Sequence, residues 1–180
     1  MYKYIFILFF PIMLFFSCEK DETSGNSSNN IDDGFDRQGL LINWSDNIII
    51  PAYNAFENTL LELEFSINNF IASPNVSELD NVSMHWLEAY RIWQHVEMFD
   101  IGYAESINYK GKINIYPTNS DSINAYIPDG NNDLNNNKYF DTRGFPAMDY
   151  MLHGLADNKN DIVDFYVNNS SYSEYLSAII

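Results

Sequence analysis

The chain has 180 residues, of which 46% are hydrophobic and 19% charged, with only eight glycines and six prolines. These proportions exclude a collagen-like, disulfide-scaffold or wholly disordered protein. A formal charge of −16 repels phosphate backbones, so nucleic acid is not an expected partner. The single cysteine, Cys18, excludes both an intrachain disulfide and a cysteine-based zinc site.

The first 17 residues have the layout of an export signal. Lys3 precedes an apolar run over residues 4–16, which is too short for the roughly 20 residues that a membrane-spanning helix needs. Residues 15–18, Phe-Phe-Ser-Cys, resemble a bacterial lipobox, in which the cysteine receives lipid and becomes the new N-terminus. We therefore expect lipidation of Cys18; the alternative is a plain secretory segment with an incidental thiol.

The residues after Cys18 indicate a lipid-anchored protein of the outer membrane. Residues 19–22, Glu-Lys-Asp-Glu, resemble the short signal behind the lipidated cysteine of Bacteroidetes lipoproteins that reach the cell surface. Residues 23–30 are rich in Ser, Asn and Gly, a composition typical of a flexible tether. We accordingly expect a signal peptide over residues 1–17, a tether over 18–36 and a folded domain over 37–180.

A long amphipathic helix is predicted before Ser73-Pro74. Apolar side chains recur there every three or four residues, the spacing of one helix face. Pro51 lies within the pattern, so residues 41–50 form either a separate first helix or the kinked front end of this one. The residues on the predicted buried face are Phe56, Leu60, Leu63, Ile67, Phe70 and Ile71.

A second helix, from about Ser77 to Phe99, carries a carboxylate within an aromatic stripe. At 100° per residue, Glu97 falls on the same face as Trp86, Tyr90 and Trp93. A carboxylate on a buried face needs hydrogen bonds, a cation or a metal, or it becomes neutral. Glu97 is therefore a candidate site residue, unless the helix ends close by and Glu97 reaches solvent or a tyrosine hydroxyl.

Residues 103–142 lack sustained periodicity and predict a long ordered loop with short turns, long enough to suggest a functional role. Residues 129–133 briefly resemble a calcium-binding loop. Leu134 and Phe140 stand where an EF-hand needs Gly and Glu, so we interpret the segment as solvated loop.

A short apolar helix is predicted around Pro146, with Gly154 ending it. Asp149 and His153 are four residues apart and could share a metal ion. The alternative for Asp149 is a first-turn acid that the helix dipole stabilises.

The last predicted helix opens on a capping-box pattern, Ser171-Tyr172-Ser173-Glu174. The chain then ends on Ile179-Ile180, apolar residues with no evident cap or partner. We expect the chain to be part of a longer protein.

Four blocks in this order resemble the imelysin-like family of bacterial envelope proteins. They cover the chain from about residue 40 to 180, roughly the N-terminal half of the family domain. The resemblance implies an all-α helical bundle, the first of two, with a long ordered loop before the Gly-Phe-Pro helix and a polar site in the cleft between bundles. The blocks are residues 49–53 with Phe56; Trp86, Tyr90, Arg91, Trp93 and 97–102; 113–117; and 144–152.

The family hallmark, Gly-x-His-x-x-Glu, is altered in this chain. Gly144 matches, but Pro146 stands at the histidine position and Asp149 at the glutamate position. By this resemblance Gly144, Asp149 and Glu97 line the cleft, and Arg143 could hold an anionic group or pair with Asp149. Since proline cannot ligate a metal, the residue pattern weakens metal chemistry.

Three functions are consistent with these observations. The first is a non-catalytic, lipid-anchored binding protein with a role in iron or haem acquisition, as members linked to iron uptake suggest. The second is a metallopeptidase, the activity described for other members. The third is a surface module that binds protein or glycan through its aromatic residues. The sequence does not identify a cofactor. For iron or another divalent metal, the candidate ligands are Glu97, Asp149 and His153.

Overall fold

The computed structural model describes residues 34–130, 134, 136 and 139–179. The predicted signal peptide, Cys18 and almost all of the predicted tether lie outside these residues. From Asp36 onward the chain forms one compact unit. In the described ranges all regular structure is helical, which confirms the all-α prediction.

The described part of the chain contains nine α-helices and two short π-helical segments. The π-helical segments are Ser45–Ile49, which joins α1 to α2, and Tyr150–Gly154, which directly follows α7. No helix within the described ranges is sufficiently long and apolar to cross a membrane. The α-helices are α1 (Arg37–Trp44), α2 (Ile50–Ala72), α3 (Val76–Val96), α4 (Tyr103–Ser106), α5 (Tyr109–Ile113), α6 (Ser120–Asp129), α7 (Gly144–Asp149), α8 (Lys159–Asn168) and α9 (Ser170–Ala178).

The antiparallel hairpin of α2 and α3 is the centre of the bundle. A tight connection at Ser73-Pro74-Asn75 joins them, and the Asn75 side chain caps α3 by accepting a hydrogen bond from the Glu78 N–H at 3.1 Å. The face predicted for α2 is confirmed, with four of its residues buried and Leu60 and Ile71 packed at the margin of the core. The buried residues of the hairpin are Phe56, Leu63, Ser66, Ile67, Phe70, Leu79, Val82, Ala89, Trp93 and Val96.

The segment before α2 has features of both predicted alternatives, a separate first helix and a front end of the long helix. Helix α1 is separate, but the π-helical segment Ser45–Ile49 continues it into α2 without a break. Pro51 then lies in the first turn of α2, directly after the π-helical segment, so its missing N–H falls where the helical hydrogen-bond pattern changes. None of the residues of α1 is buried.

The connection over residues 103–142 contains three short helices, α4, α5 and α6, rather than turns alone. Helix α6 was missed by the sequence analysis. Among its residues with described burial, Ile123 and Ile127 alone are fully buried, and two apolar residues four apart are too few to establish a helical period. Its start is capped by the Asn119 side chain, which accepts a hydrogen bond from the Ser122 N–H at 3.0 Å. The calcium-loop interpretation falls mostly on residues outside the described ranges.

The last two helices complete the core. Helix α8, also missed, buries Ile162, Val163 and Tyr166. The capping-box prediction for α9 is wrong, because the Asn169 side chain caps this helix by accepting from the Ser171 N–H at 3.0 Å. Asn169 supplies the cap two residues earlier, so Ser171 already lies inside the helix.

Two buried tyrosines make the fold sensitive to alkaline pH. The Tyr175 hydroxyl donates to the Thr142 carbonyl, and the Tyr166 hydroxyl donates to the Met151 carbonyl at 2.8 Å. Burial raises the pKa of Tyr175 to about 12 and also raises the pKa of Tyr166. Above about pH 10 a tyrosine of the unfolded chain loses its proton while these two keep theirs, so the unfolded state binds fewer protons.

We therefore expect the free energy of unfolding to fall as pH rises from 10 towards 12, by about 1.4 kcal/mol per pH unit for each such tyrosine. Urea denaturation at intervals of half a pH unit measures this slope. In Tyr175→Phe the slope should be shallower by one tyrosine's share. An unchanged slope in that variant would show that Tyr175 ionises equally easily in both states.

Candidate functional site

A pocket of about 470 Å³ opens between α3, the loop after α5, and the segment formed by α7 and its π-helical continuation. We call it the Trp86 pocket. Five of its described lining residues are aromatic, and the only ones among them with a carboxylate or an imidazole are Asp149 and His153. The lining residues are Trp86, Tyr90, Asn114, Tyr116, Thr118, Phe145, Pro146, Asp149, Tyr150, His153 and Gly154.

Gly144 lets α7 start in close contact with the end of α5. Its φ is +73°, a left-handed conformation that side chains disfavour. A Cβ atom at this position would overlap the carbonyl group of Ile113. Only glycine therefore allows the backbones of α5 and α7 to approach this closely. The residues that follow these two backbone positions, Asn114, Phe145 and Pro146, all line the pocket.

Phe145 attaches α7 to the aromatic face of α3. Its ring is buried and packs edge-on against Tyr90, with centroids 5.2 Å apart, and against Trp86 at 6.5 Å. The Trp86 indole N–H donates to the Phe145 carbonyl at 3.1 Å, and the Trp86 and Tyr90 rings stack with planes 10° apart. Two residues of the aromatic stripe predicted for α3, Trp86 and Tyr90, thus form one wall of the pocket, whereas Trp93 is buried in the core.

A chain of hydrogen bonds links the π-helical segment to α3. His153 Nδ1 lies 2.9 Å from Asp149 Oδ1, and His153 Nε2 lies 3.0 Å from the hydroxyl oxygen of Ser83. The Ser83 hydroxyl also lies 2.8 Å from the Leu79 carbonyl, to which it can donate. The pair that the four-residue spacing suggested, Asp149 and His153, is therefore in contact. Ser83 was missed, since nothing in the sequence relates it to a residue 70 positions later.

The loop that forms the rim of the pocket is held by the segment before α7. The Thr118 hydroxyl donates to the Asp141 carbonyl at 2.9 Å, and the Asn119 N–H donates to the same carbonyl at 2.8 Å. The hydroxyl of Tyr150, another lining residue, accepts a hydrogen bond from the Asn124 amide of α6 at 2.7 Å. The two bonds to Asp141 hold the loop that contributes Asn114, Tyr116 and Thr118 to the pocket, three residues that were not predicted as site residues.

Glu97 does not line the Trp86 pocket. It is the C-cap residue of α3, about 16 Å along the helix axis from Trp86. It is partly buried, and its nearest described cation is Lys110, with Nζ 3.9 Å from Oε2. Glu97 and Asp149 are thus not brought together in this pocket.

Arg143 does not line the pocket either. Its side chain is buried, and its guanidinium Nη1 donates to the Leu134 carbonyl. Of the four predicted cleft residues, Asp149 lines the pocket, Gly144 shapes its wall from behind, and Arg143 and Glu97 lie elsewhere.

The donor set does not fit the metal centre that the resemblance implies. No three His, Cys, Asp or Glu side chains of the described residues form a group that could hold a metal ion. Asp149 and His153 bond to each other, and both His153 ring nitrogens have polar neighbours. A catalytic zinc takes three protein ligands and an open position, which this pair does not provide.

These features define an all-α helical bundle in which an aromatic-walled pocket with one acid and one imidazole lies between the central hairpin and a Gly-Phe-Pro helix. The family model described as imelysin, peptidase M75, matches residues 49–180, and the chain belongs to this family. The matched range contains every residue that lines the Trp86 pocket. Searches of the curated proteins and of the solved structures found no match.

Proposed function

We propose that this chain is a lipid-anchored binding protein of the bacterial cell envelope that holds a small organic molecule in the Trp86 pocket without transforming it. The observation that carries this proposal is the composition of the pocket wall. Small-molecule sites are typically concavities of about 300–1,000 Å³ with mostly apolar and aromatic walls and a few polar groups. The Trp86 pocket has this size and this composition.

The absence of a suitable donor set in the described residues argues against the metallopeptidase function. Metal-dependent hydrolysis needs a metal held with an open position and a general base beside it. The hallmark histidine is Pro146 here, and Asp149 bonds to His153. The pair therefore supports binding better than metal-assisted cleavage.

The Ser83–His153–Asp149 chain is arranged in the order of a catalytic triad, but it lacks features of a nucleophilic site. Ser83 is not among the residues that line the pocket. It lies inside α3, where the backbone N–H groups around it are used in helix hydrogen bonds and cannot stabilise an oxyanion. We therefore assign these hydrogen bonds a structural role: they fix the position of Asp149.

Iron or haem acquisition, which the resemblance implies, stays a hypothesis with a direct test. His153 is the only imidazole in the pocket lining, and both of its nitrogens already have hydrogen-bond partners. A haem iron would have to displace one of these contacts. We therefore include haem as a test ligand, together with a neutral sugar that represents the glycan-binding alternative.

Calorimetry on the purified full chain, kept in a non-ionic detergent, tests the binding function. A panel of haem, a monosaccharide, an aromatic amine and a quaternary amine should contain at least one ligand whose heat is lost in Trp86→Ala. Trp44→Ala is the matched control, because Trp44 is 50% exposed and lies outside the pocket. Asn114→Ala, which changes a partly buried lining residue, provides a second test if Trp86→Ala does not fold.

Two outcomes would contradict the proposal. If no member of the panel binds, or if all bind equally well to Trp86→Ala and wild type, the pocket is not the site. Cleavage of an unfolded protein substrate by the zinc-loaded chain, abolished by EDTA, would show that the protein is a peptidase. Labelling with radioactive palmitate tests the anchor, and Cys18→Ala should remove the label.

A further inference from the structure

The walls of the Trp86 pocket are suited to a positive charge. Trp86, Tyr90, Phe145, Tyr150 and Tyr116 line it, and the face of an aromatic ring carries partial negative charge that attracts cations. Trp86 and Tyr90 stack on each other, and Phe145 supports both from the core. Their rings are therefore held in place before any ligand arrives, which lowers the entropic cost of binding.

A single carboxylate, that of Asp149, gives the Trp86 pocket its formal negative charge. The Asp149 side chain is 55% exposed, so it can reach a ligand, and its Oδ1 is held by His153 Nδ1 at 2.9 Å. A singly protonated imidazole can satisfy both of its contacts when Nδ1–H donates to Asp149 and the Ser83 hydroxyl turns its one proton from the Leu79 carbonyl to Nε2. In that arrangement the imidazole orients the carboxylate without cancelling its charge.

The surroundings favour a cation over an anion or a neutral molecule. No lysine or arginine is found among the described residues that line the pocket. The formal charge of the whole chain is −16, which raises the local concentration of cations and repels anions. An inorganic divalent ion is a poorer match, because it needs several oxygen ligands and the wall offers mainly rings.

We infer that the ligand of the Trp86 pocket is an organic monocation of the alkylammonium class, whose apolar substituents contact the aromatic rings while its charge faces Asp149. This inference rests on the proposed binding function and adds the chemical class of the ligand. It assigns Asp149 to charge recognition and Trp86 and Tyr90 to the apolar part of the contact.

The test compares two probes of nearly equal shape. Choline carries a quaternary nitrogen, and 3,3-dimethylbutan-1-ol has a carbon atom in its place and no charge. In calorimetry on the full chain at low ionic strength, we expect choline to bind at least tenfold more tightly than the neutral alcohol. Asp149→Asn, which removes the charge but keeps the shape, should remove most of this preference, and Asp149→Glu should keep part of it.

Glu88→Gln is the matched control. Glu88 is an exposed carboxylate on α3, two residues from Trp86, and it does not line the pocket. It changes the net charge by the same amount as Asp149→Asn, so it separates a local contact from the general field of the protein. Choline affinity should change less than twofold in this variant.

The outcomes distinguish the ligand class from the binding function. Equal affinity of the two probes in the wild-type chain would overturn the inference, and it would leave the binding function intact if Trp86→Ala still removes the heat. The inference would also fail if Glu88→Gln weakened choline binding as much as Asp149→Asn. The comparison of the two probes in the wild-type chain tests the inference even if Asp149→Asn does not fold. If neither probe nor any ligand of the wider panel binds, both the inference and the binding function fail.

Discussion

Replacing Phe145 by alanine should lower the free energy of unfolding by about 3–5 kcal/mol, the usual cost of removing a fully buried aromatic ring. Phe145 is only 3% exposed and is the common neighbour of rings from α2 and α3. Its loss would leave a cavity between these helices and α7, and the pocket wall would lose its support. The ring contacts of Phe145 are with Phe56, Trp86, Tyr90 and Trp93.

Urea denaturation followed by circular dichroism measures this change. Phe65→Ala is the matched control: Phe65 lies on the outer face of α2 and is 65% exposed, so its removal should cost no more than about 0.5 kcal/mol. Phe145→Leu keeps much of the volume and should cost less than Phe145→Ala, which keeps the comparison possible if the alanine variant is unfolded. Similar costs for Phe145→Ala and Phe65→Ala would show that the aromatic cluster does not hold α7.

Gly144→Ala should be the most damaging change of a single glycine. A left-handed backbone costs a residue with a Cβ roughly 1–2 kcal/mol, and here the new methyl group would also overlap the Ile113 carbonyl. Because this obstacle is backbone, it cannot move away as a side chain would. We expect a loss of more than about 2 kcal/mol in the free energy of unfolding, or failure to fold, together with loss of ligand binding at the Trp86 pocket.

Gly130→Ala separates the two parts of this cost. Gly130 also has a positive φ, of +60°, but no atom of the described residues lies within 4 Å of the position a Cβ would take. This control should therefore show the conformational cost alone, about 1–2 kcal/mol, and leave binding unchanged. If urea denaturation gave the same loss in the free energy of unfolding for Gly130→Ala and Gly144→Ala, the close approach of α5 and α7 would not contribute to the cost of Gly144→Ala.

The helical periodicity of α2 and α3 could be predicted because burial of one helix face leaves a repeat in the sequence. The same repeat identified Trp86, Tyr90 and Trp93 as neighbours on α3. The repeat did not place Glu97 correctly. A projection down the helix axis shows the direction in which each side chain points but not its position along the axis. Trp86 lies in the middle of the helix, whereas Glu97 is its C-cap residue.

Short elements with few core residues could not be predicted in the same way. Helices α6 and α8 bury two or three residues each, and their starts depend on the asparagine caps Asn119 and Asn158. Asparagine is abundant throughout this chain, so a capping asparagine does not stand out from the others. For the same reason Asn169 does not stand out in the sequence, and the capping-box pattern two residues later predicts a start for α9 that is too late.

By itself, the sequence determined the helical class, the buried faces of the two long helices, and the four-residue spacing that lets Asp149 and His153 meet. These are local properties, because residues three or four apart on a helix are neighbours whatever surrounds it. Only the tertiary structure decided that Ser83 holds His153, that Arg143 and Glu97 lie away from the pocket, and that Asn114, Tyr116 and Thr118 complete its wall. Such contacts join residues tens of positions apart, and their geometry depends on how the helices pack, as at the close approach of Gly144 to Ile113.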